Sequence, residues 1–219
     1  MTDHVEQLKI GIDKISEIIK DYKNIKNVEI EFRIGVIESG IFRPGLLSED
    51  FFNKIKKLLD SNPNWTYKHS NTTEEHINDG IVQVGRIKTK KTKMYTCDFS
   101  FENTPYDFRV SVSEENRTTE KMKPGGVIRH KKRDSYTHED YRFDLTYVIQ
   151  EDNGVSIKQY EFEIELLNLE NDTSNVYRAH SALLKLRDII NNIETIPGEA
   201  VVKTVKQNVL VNFDGLKVA

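Results

Sequence analysis

The chain has 219 residues and a single cysteine, Cys97, so it is long enough to bury a core without disulfides, and a small disulfide-stabilised secreted fold is excluded. Its 32 basic and 35 acidic side chains give a formal net charge of −3, which as a whole argues against a generic nucleic-acid binder. Because 31% of the residues are charged, the near-cancellation could instead conceal acidic and basic groups sorted onto separate surfaces.

Amphipathic periodicity predicts three helices. Apolar residues recur every three to four positions from Val5 to Tyr22, and again after Ser48, a candidate N-cap, until Pro63. A third helix is predicted from Asn175 to Glu194. Its apolar stripe comprises Val176, Ala179, Leu183, Leu186, Ile190 and Ile193.

Elsewhere the hydrophobic period changes to two, which is typical of strands. Strand candidates lie near residues 28–36, 64–70, 81–88, 93–101, 106–114, 127–136, 141–149 and 158–167. About eight strands with short polar links favour an antiparallel meander that closes into a barrel. We therefore predict a mainly β, α+β domain over residues 1–198. A C-terminal tail, 199–219, with a weak strand pattern from Val209 to Phe213, packs on the barrel or leads to a further domain.

Strand parity sorts the charges by sign. Three glutamates, Glu161, Glu163 and Glu165, share one strand face at a spacing of about 6.6 Å. Glu29 and Glu31 share another face with Arg33. Basic or polar faces are predicted for Arg129, Lys131, Arg133 and Ser135, for Arg109, Ser111 and Ser113, and for Arg142, Asp144 and Thr146.

A single polar strand face is ordinary, because half-buried antiparallel strands have one side in water. Whole faces of one sign are unusual, since like charges destabilise neighbouring strands. We therefore predict that the charged faces line a lumen, while three helices cover the apolar outside. Glutamates suit Mg²⁺ or Mn²⁺, which prefer oxygen ligands, and arginine and lysine suit a polyphosphate.

Five segments carry a resemblance to a known family: VEIEFRIG, YDFRVSV, RHKKRDSY, the FDLTYV that follows it, and YEFEIEL. In this order they resemble the metal-dependent mRNA 5′-triphosphatases of fungi and large DNA viruses, a branch of the triphosphate tunnel metalloenzymes. Arg33 stands where the broader superfamily often has the lysine of ExExK, which disfavours the small-molecule branch.

The resemblance implies an eight-stranded tunnel that uses Mg²⁺ or Mn²⁺. It implies metal coordination by Glu29, Glu31 and Glu165, and roles for Glu161 and Glu163 in the metal and water network. It implies triphosphate contacts from Arg109, Arg129, Lys131 and Arg133, with Lys93 as a further candidate. Ser111, Ser135, Asp144 and Thr146 are expected to support these residues.

The expected reaction is hydrolysis of the γ-phosphate of triphosphate-ended RNA, which leaves a diphosphate end for mRNA capping. Glu163 is a candidate to orient or deprotonate the water, and Glu115 is a remote alternative. Free NTP or tripolyphosphate is an alternative substrate, and a non-catalytic polyanion-binding or RNA-binding barrel is an alternative of another class. A guanylyltransferase, in trans or on a longer chain, is an expected partner.

The expected surroundings are those of a reducing compartment. A lone cysteine indicates such a setting, in the cytoplasm (including a virus factory), the nucleus or a virion. No apolar run approaches the roughly 20 residues of a membrane helix, so no membrane partner is expected. The sequence contains neither a P-loop nor a Rossmann motif.

Overall fold

The computed structural model of the chain describes residues 2–45, 47–102, 104–193 and 201–207. Within these residues there are three helices and ten strands. The helices are α1 (Thr2–Tyr22), α2 (Glu49–Ser61) and α3 (Asn175–Ile193). The strands are β1 (Val28–Glu38), β2 (Ile41–Arg43), β3 (Tyr67–Asn78), β4 (Ile81–Val84), β5 (Ile87–Glu102), β6 (Asp107–Arg117), β7 (Val127–His138), β8 (Tyr141–Asp152), β9 (Val155–Leu166) and β10 (Val201–Gln207).

Eight strands close into an antiparallel barrel, in the ring order β1, β6, β5, β4, β3, β7, β8, β9 and back to β1. Strand β1 closes the ring, because it pairs with β6 on one side and with β9 on the other. The glutamate-rich strands at the two ends of the barrel segment thus become neighbours, and Glu31 lies opposite Glu165. The predicted closed barrel is confirmed.

Two strands lie outside this ring. Strand β2 forms a hairpin with the end of β1, where Val36 lies opposite Arg43. Strand β10 pairs with the end of β5, where Val201 lies opposite Glu102. The predicted strand pattern from Val209 to Phe213 lies outside the described residues, and the division of the chain at residue 198 stays a prediction.

The hydrophobic core lies between the barrel and the helices. Along β1, Ile30, Phe32 and Ile34 are fully buried on the outer face, while the alternate residues point into the lumen. The core side chains of the helices include Ile15 and Ile19 of α1, Phe51 and Ile55 of α2, and Leu183 and Leu186 of α3. Helix α2 begins at the predicted cap, since the Ser48 hydroxyl accepts a hydrogen bond of 3.1 Å from the amide of Phe51. The expectation that three helices cover the apolar face is confirmed.

Some predicted boundaries were wrong. The candidate strand at 64–70 extends to Asn78, and the candidate at 81–88 is a hairpin formed by β4 and the start of β5. The α3 stripe also loses its first member, because Val176 is 53% exposed. None of the helices in the described part of the chain is long and apolar enough to span a membrane.

Candidate functional site

The barrel encloses a cavity of about 560 Å³ lined by charged side chains. Thirteen residues discussed in the sequence analysis line it: Glu29, Glu31, Arg33, Lys93, Arg109, Ser111, Ser113, Glu115, Arg129, Lys131, Arg133, Arg142 and Glu163. Other predicted residues reach the cavity through these side chains. Glu161 contacts Arg129 at 2.6 Å, and Thr146 accepts a hydrogen bond of 3.2 Å from Arg133. The predicted residues therefore lie in or beside one lumen, except that Glu165 lines a second cavity and reaches this one through its contact with Arg142.

The acidic strands β1 and β9 crowd carboxylates into a small region. Burial, together with the charge of Glu29, raises the pKa of Glu165 to about 8. Burial also raises the pKa of Glu31, which lies opposite Glu165 in the β1–β9 ladder. In contrast, Lys91 lowers the pKa of Glu29 against the effect of burial. This region therefore disfavours full ionisation of its carboxylates without cationic partners.

Basic side chains lie between these carboxylates. Arg33 contacts Glu31 at 3.0 Å and Glu163 at 2.8 Å. Burial opposes ionisation of Glu163, but Arg33 and Arg133 hold its pKa at about 2. Arg142 similarly contacts Glu165. The acidic wall therefore contains interleaved cations, rather than glutamates alone.

Strand β7 supplies a row of three cations, and a carboxylate from a different strand holds each of them. Arg129 contacts Glu161 at 2.6 Å, Lys131 contacts Glu75 at 3.0 Å, and Arg133 contacts Asp144 at 3.1 Å. Asp144 is 2% exposed and accepts a hydrogen bond of 2.6 Å from the Ser135 hydroxyl. These contacts fix the cations in place before any ligand binds.

Arg109 on β6 is held from two directions. Asp98, which is 1% exposed, accepts two hydrogen bonds from the Arg109 guanidinium, at 2.6 and 2.9 Å. On the other side, the guanidinium lies over the Phe42 ring at 4.7 Å from its centroid. Strand β2 can place this ring here because Gly35 has no Cβ, which would lie 2.7 Å from a Phe42 ring atom.

Lys93 differs from the other lumen cations. In the described part of the chain it has no carboxylate within 4.0 Å, whereas the neighbouring Lys91 contacts both Glu29 and Glu115. Burial and the charges of Arg109 and Arg33 lower the pKa of Lys93. Among the described residues, no carboxylate directly neutralises the charge of Lys93, so its ammonium group is suited to bind an anion.

The family model described as the mRNA capping enzyme, beta chain, matches residues 84–196, just over half of the chain. The chain belongs to this family of mRNA-capping enzymes. The matched segment contains β5 to β9, and thus every predicted phosphate-binding residue. Glu29 and Glu31 lie outside it, and the pairing of β1 with β6 and β9 brings them to the same cavity.

Solved structures agree on the fold of this capping-enzyme chain. The structure of the S. pombe Pct1 RNA triphosphatase superposes with a TM-score of 0.67 at 16% identity, covering 84% of this chain and 93% of Pct1. Pct1 in complex with the Spt5 CTD gives a TM-score of 0.64 with the same identity and coverage. A comparison with curated protein sequences gives no match.

The donor set of this family member fits a hard divalent cation. Glu29, Glu31 and Glu165 offer only carboxylate oxygens, the ligand type that Mg²⁺ and Mn²⁺ prefer. Within the described residues, however, no three Asp, Glu, His or Cys side chains lie close enough together to hold a metal ion as they stand. Lys91 and Arg142 contact two of these carboxylates, so a metal ion would have to displace those contacts. A divalent cation would also relieve the crowding that raises the pKa of Glu165.

Several lumen residues were missed by sequence reasoning, chiefly Lys91, Asp98 and Glu75. Lys91 lies in a basic run whose register is ambiguous. Asp98 was missed because a bulge between Lys93 and Tyr95 shifts the pairing of β5. Past this bulge the even residues of β5 face the lumen, so parity counted from Lys93 assigns Asp98 to the wrong face. The signal available in the sequence was that Lys91, Asp98 and Glu75 are charged residues, on or beside predicted strands, with no partner assigned from the sequence.

Proposed function

We propose that this chain is a metal-dependent RNA 5′-triphosphatase. It would hydrolyse the bond between the β- and γ-phosphates of triphosphate-ended RNA and leave a diphosphate end ready for capping. The observation that carries this proposal is the closed tunnel, in which fixed cations of β6 and β7 share one cavity with glutamates of β1 and β9. Membership of the capping-enzyme family supports the choice of RNA.

The basic residues would position and neutralise the triphosphate. Arg109, Arg129 and Arg133 can each offer N–H groups to phosphate oxygens while a carboxylate holds the rest of the guanidinium. Lys131 and Lys93 would add point charges. Because phosphoryl transfer depends mainly on alignment and charge stabilisation, cations fixed before the substrate arrives lower its barrier.

The carboxylates would serve the metal and the water. We propose that Glu29, Glu31 and Glu165 hold Mg²⁺ or Mn²⁺, whose chemistry is to neutralise charge on phosphate oxygens. We propose that Glu163, which is 9% exposed and lines the cavity, would accept a hydrogen bond from the attacking water. Glu115 is the less suitable candidate, because its side chain is 37% exposed.

A free NTP or tripolyphosphate is the second candidate substrate. The cations described above would recognise phosphate groups alone, and all three substrates carry these groups. A non-catalytic polyanion-binding barrel would need the cations but not the glutamates. Activity measurements with all three substrates separate these possibilities.

The experiment is phosphate release from triphosphate-ended RNA, ATP and tripolyphosphate, each with Mg²⁺, Mn²⁺ or EDTA. We expect release from RNA with a metal ion, loss of release with EDTA, and a loss of at least about 100-fold in E163Q and E165Q. E74Q is the matched control, since Glu74 is 54% exposed on the outer side of β3. If neither metal supports release from RNA, the proposal fails. If binding of triphosphate RNA survives in both lumen variants of a protein that never releases phosphate, the non-catalytic reading is correct.

We also propose that a guanylyltransferase acts after this enzyme. A diphosphate end is the substrate that guanylyl transfer requires, and the second activity would reside in a partner or on a longer chain. Co-purification and capping of the diphosphate RNA by the partner would test this. Pct1, the structural neighbour, has a structure with a different partner, the Spt5 CTD.

A further inference from the structure

One stretch of the tunnel lining carries four aliphatic side chains on neighbouring strands, whereas most of the other lining residues are charged or polar. It consists of Ile77 at the end of β3, Val82 and Val84 on β4, and Ile87 at the start of β5, all of which line the same cavity as the phosphate-binding cations. We call these four residues the β4 ledge. Cross-strand pairing makes it continuous, because Ile77 lies opposite Val82 and Val84 lies opposite Ile87.

The outer half of the β4 ledge meets solvent. Val84 is 37% exposed and Ile87 is 54% exposed. Isolated apolar side chains at a surface are ordinary, but here two adjacent ones face into a cavity that is lined mostly by charged and polar side chains. Because Val84 and Ile87 are in contact with water, covering their side chains with an apolar ligand surface is favourable.

The β4 ledge borders directly on the proposed phosphate site. Val84 lies opposite Glu75, which contacts the Lys131 ammonium group at 3.0 Å. On its other side, Glu75 lies opposite Arg129 of β7, so one strand separates Val84 from this proposed phosphate-binding residue. A group that is attached to a bound triphosphate and leaves the β7 cations on this side would therefore meet the ledge.

We propose that the β4 ledge binds the first nucleoside of a triphosphate-ended RNA, by packing against its base and ribose. This inference rests on the proposed triphosphatase function and adds a subsite to it. The ledge side chains carry no hydrogen-bonding groups, so they can cover the flat face of any base without reading its identity. The subsite distinguishes nucleotide-bearing triphosphates from tripolyphosphate, which has no nucleoside.

The test is the ratio of kcat/KM for triphosphate RNA to kcat/KM for tripolyphosphate in the variant V84S/I87S. We expect this ratio to fall about fivefold to tenfold through a higher KM for RNA, because the lost contact is apolar. RNAs that begin with A, G or U should lose the same factor. If tripolyphosphate is not turned over, its inhibition constant against RNA replaces its kcat/KM. The control is I10S/V176S, which changes two exposed aliphatic residues on outer helices and should leave the ratio unchanged.

Three outcomes would contradict binding of the nucleoside by the β4 ledge. An equal fall for both substrates would mean that the ledge only shapes the tunnel, and an unchanged ratio would mean that the nucleoside binds elsewhere. A smaller sedimentation coefficient of V84S/I87S would mean that a second copy of the chain covers the ledge. If V84S/I87S does not fold, V84T/I87T keeps the β-branched shape and should lower the ratio less. A wild-type protein inactive on all substrates would instead refute the triphosphatase function itself.

Discussion

The Asp98–Arg109 pair gives the sharpest test of how the tunnel holds its cations. The substitution Asp98→Asn removes the negative charge and leaves at most one acceptor for the two hydrogen bonds now made at 2.6 and 2.9 Å. The Asp98 and Arg109 side chains are 1% and 18% exposed, so water cannot fully replace the lost contact. Breaking a buried pair costs about 3 to 5 kcal/mol, and since the amide retains one bond we expect about 3 kcal/mol.

This loss can be measured by thermal unfolding. For a domain of this size, about 3 kcal/mol lowers Tm by roughly 6 to 12 °C. We also expect kcat/KM for triphosphate RNA to fall by about tenfold or more, because the Arg109 guanidinium loses its orientation toward phosphate. The control is Glu120→Gln, which breaks the exposed Lys90–Glu120 contact at 2.9 Å and should cost less than about 1 kcal/mol. Unchanged Tm and kcat/KM in D98N would refute the idea that Asp98 fixes Arg109.

Three further predictions follow from particular side chains. Lys93→Met should raise the KM for triphosphate RNA by about tenfold with little loss of stability, because Lys93 has no carboxylate partner among the described residues. The control Lys90→Met, on the outer face, should leave KM unchanged. Equal effects of the two substitutions would contradict a role of Lys93 in phosphate binding. Gly35→Ala should destabilise the fold by about 1 to 3 kcal/mol in urea unfolding, because a Cβ would lie 2.7 Å from both the Arg43 carbonyl oxygen and the Phe42 ring; wild-type stability would show that β2 shifts freely. Burial raises the pKa of Asp140, but hydrogen bonds from the Asn171, Asn168 and Thr173 side chains outweigh this effect and lower it. The ionised Asp140 therefore stabilises the fold above the unfolded-state pKa of about 4, and this stabilisation is lost as the pH falls through the folded-state pKa. Asp140→Asn should therefore flatten Tm against pH on the acid side, and an unchanged slope would show that Asp140 is not responsible.

The sequence was most informative where a local period maps directly onto a face. The alternation around Glu29 and Glu31 predicted which side of β1 meets the lumen, and the structure confirms it. The cap at Ser48 was predictable for a similar reason, since its hydroxyl bonds to an amide only three residues away. Both features depend on neighbours in the chain and not on the rest of the fold.

Features that depend on distant strands were less predictable. The contacts of Arg33 with Glu163 and of Lys91 with Glu29 join strands far apart in sequence, so no local pattern specifies them. The bulge after Lys93 inserts one residue, and parity then reverses for Asp98. The β2 ring over Arg109 likewise depends on the space left by Gly35. Hydrophobic periodicity therefore predicts which residues share a strand face, but not the contacts made by barrel closure or the change of face after a bulge.

The interleaved charges bear on the proposal that one tunnel accepts both a divalent cation and a polyphosphate. The described lumen cations, apart from Lys93, contact protein carboxylates, so the protein's own charges in the tunnel are close to balanced. Adding a polyphosphate alone would place its negative charges beside glutamates that already resist full ionisation. Adding a divalent cation alone would compete with Lys91 and Arg142 for carboxylates. With both bound, Glu29 and Glu165 would hold the metal, and Lys91 and Arg142 would then be available to phosphate oxygens, so the overall charge would stay near balance. The small net charge of the chain is consistent with a site built for this exchange.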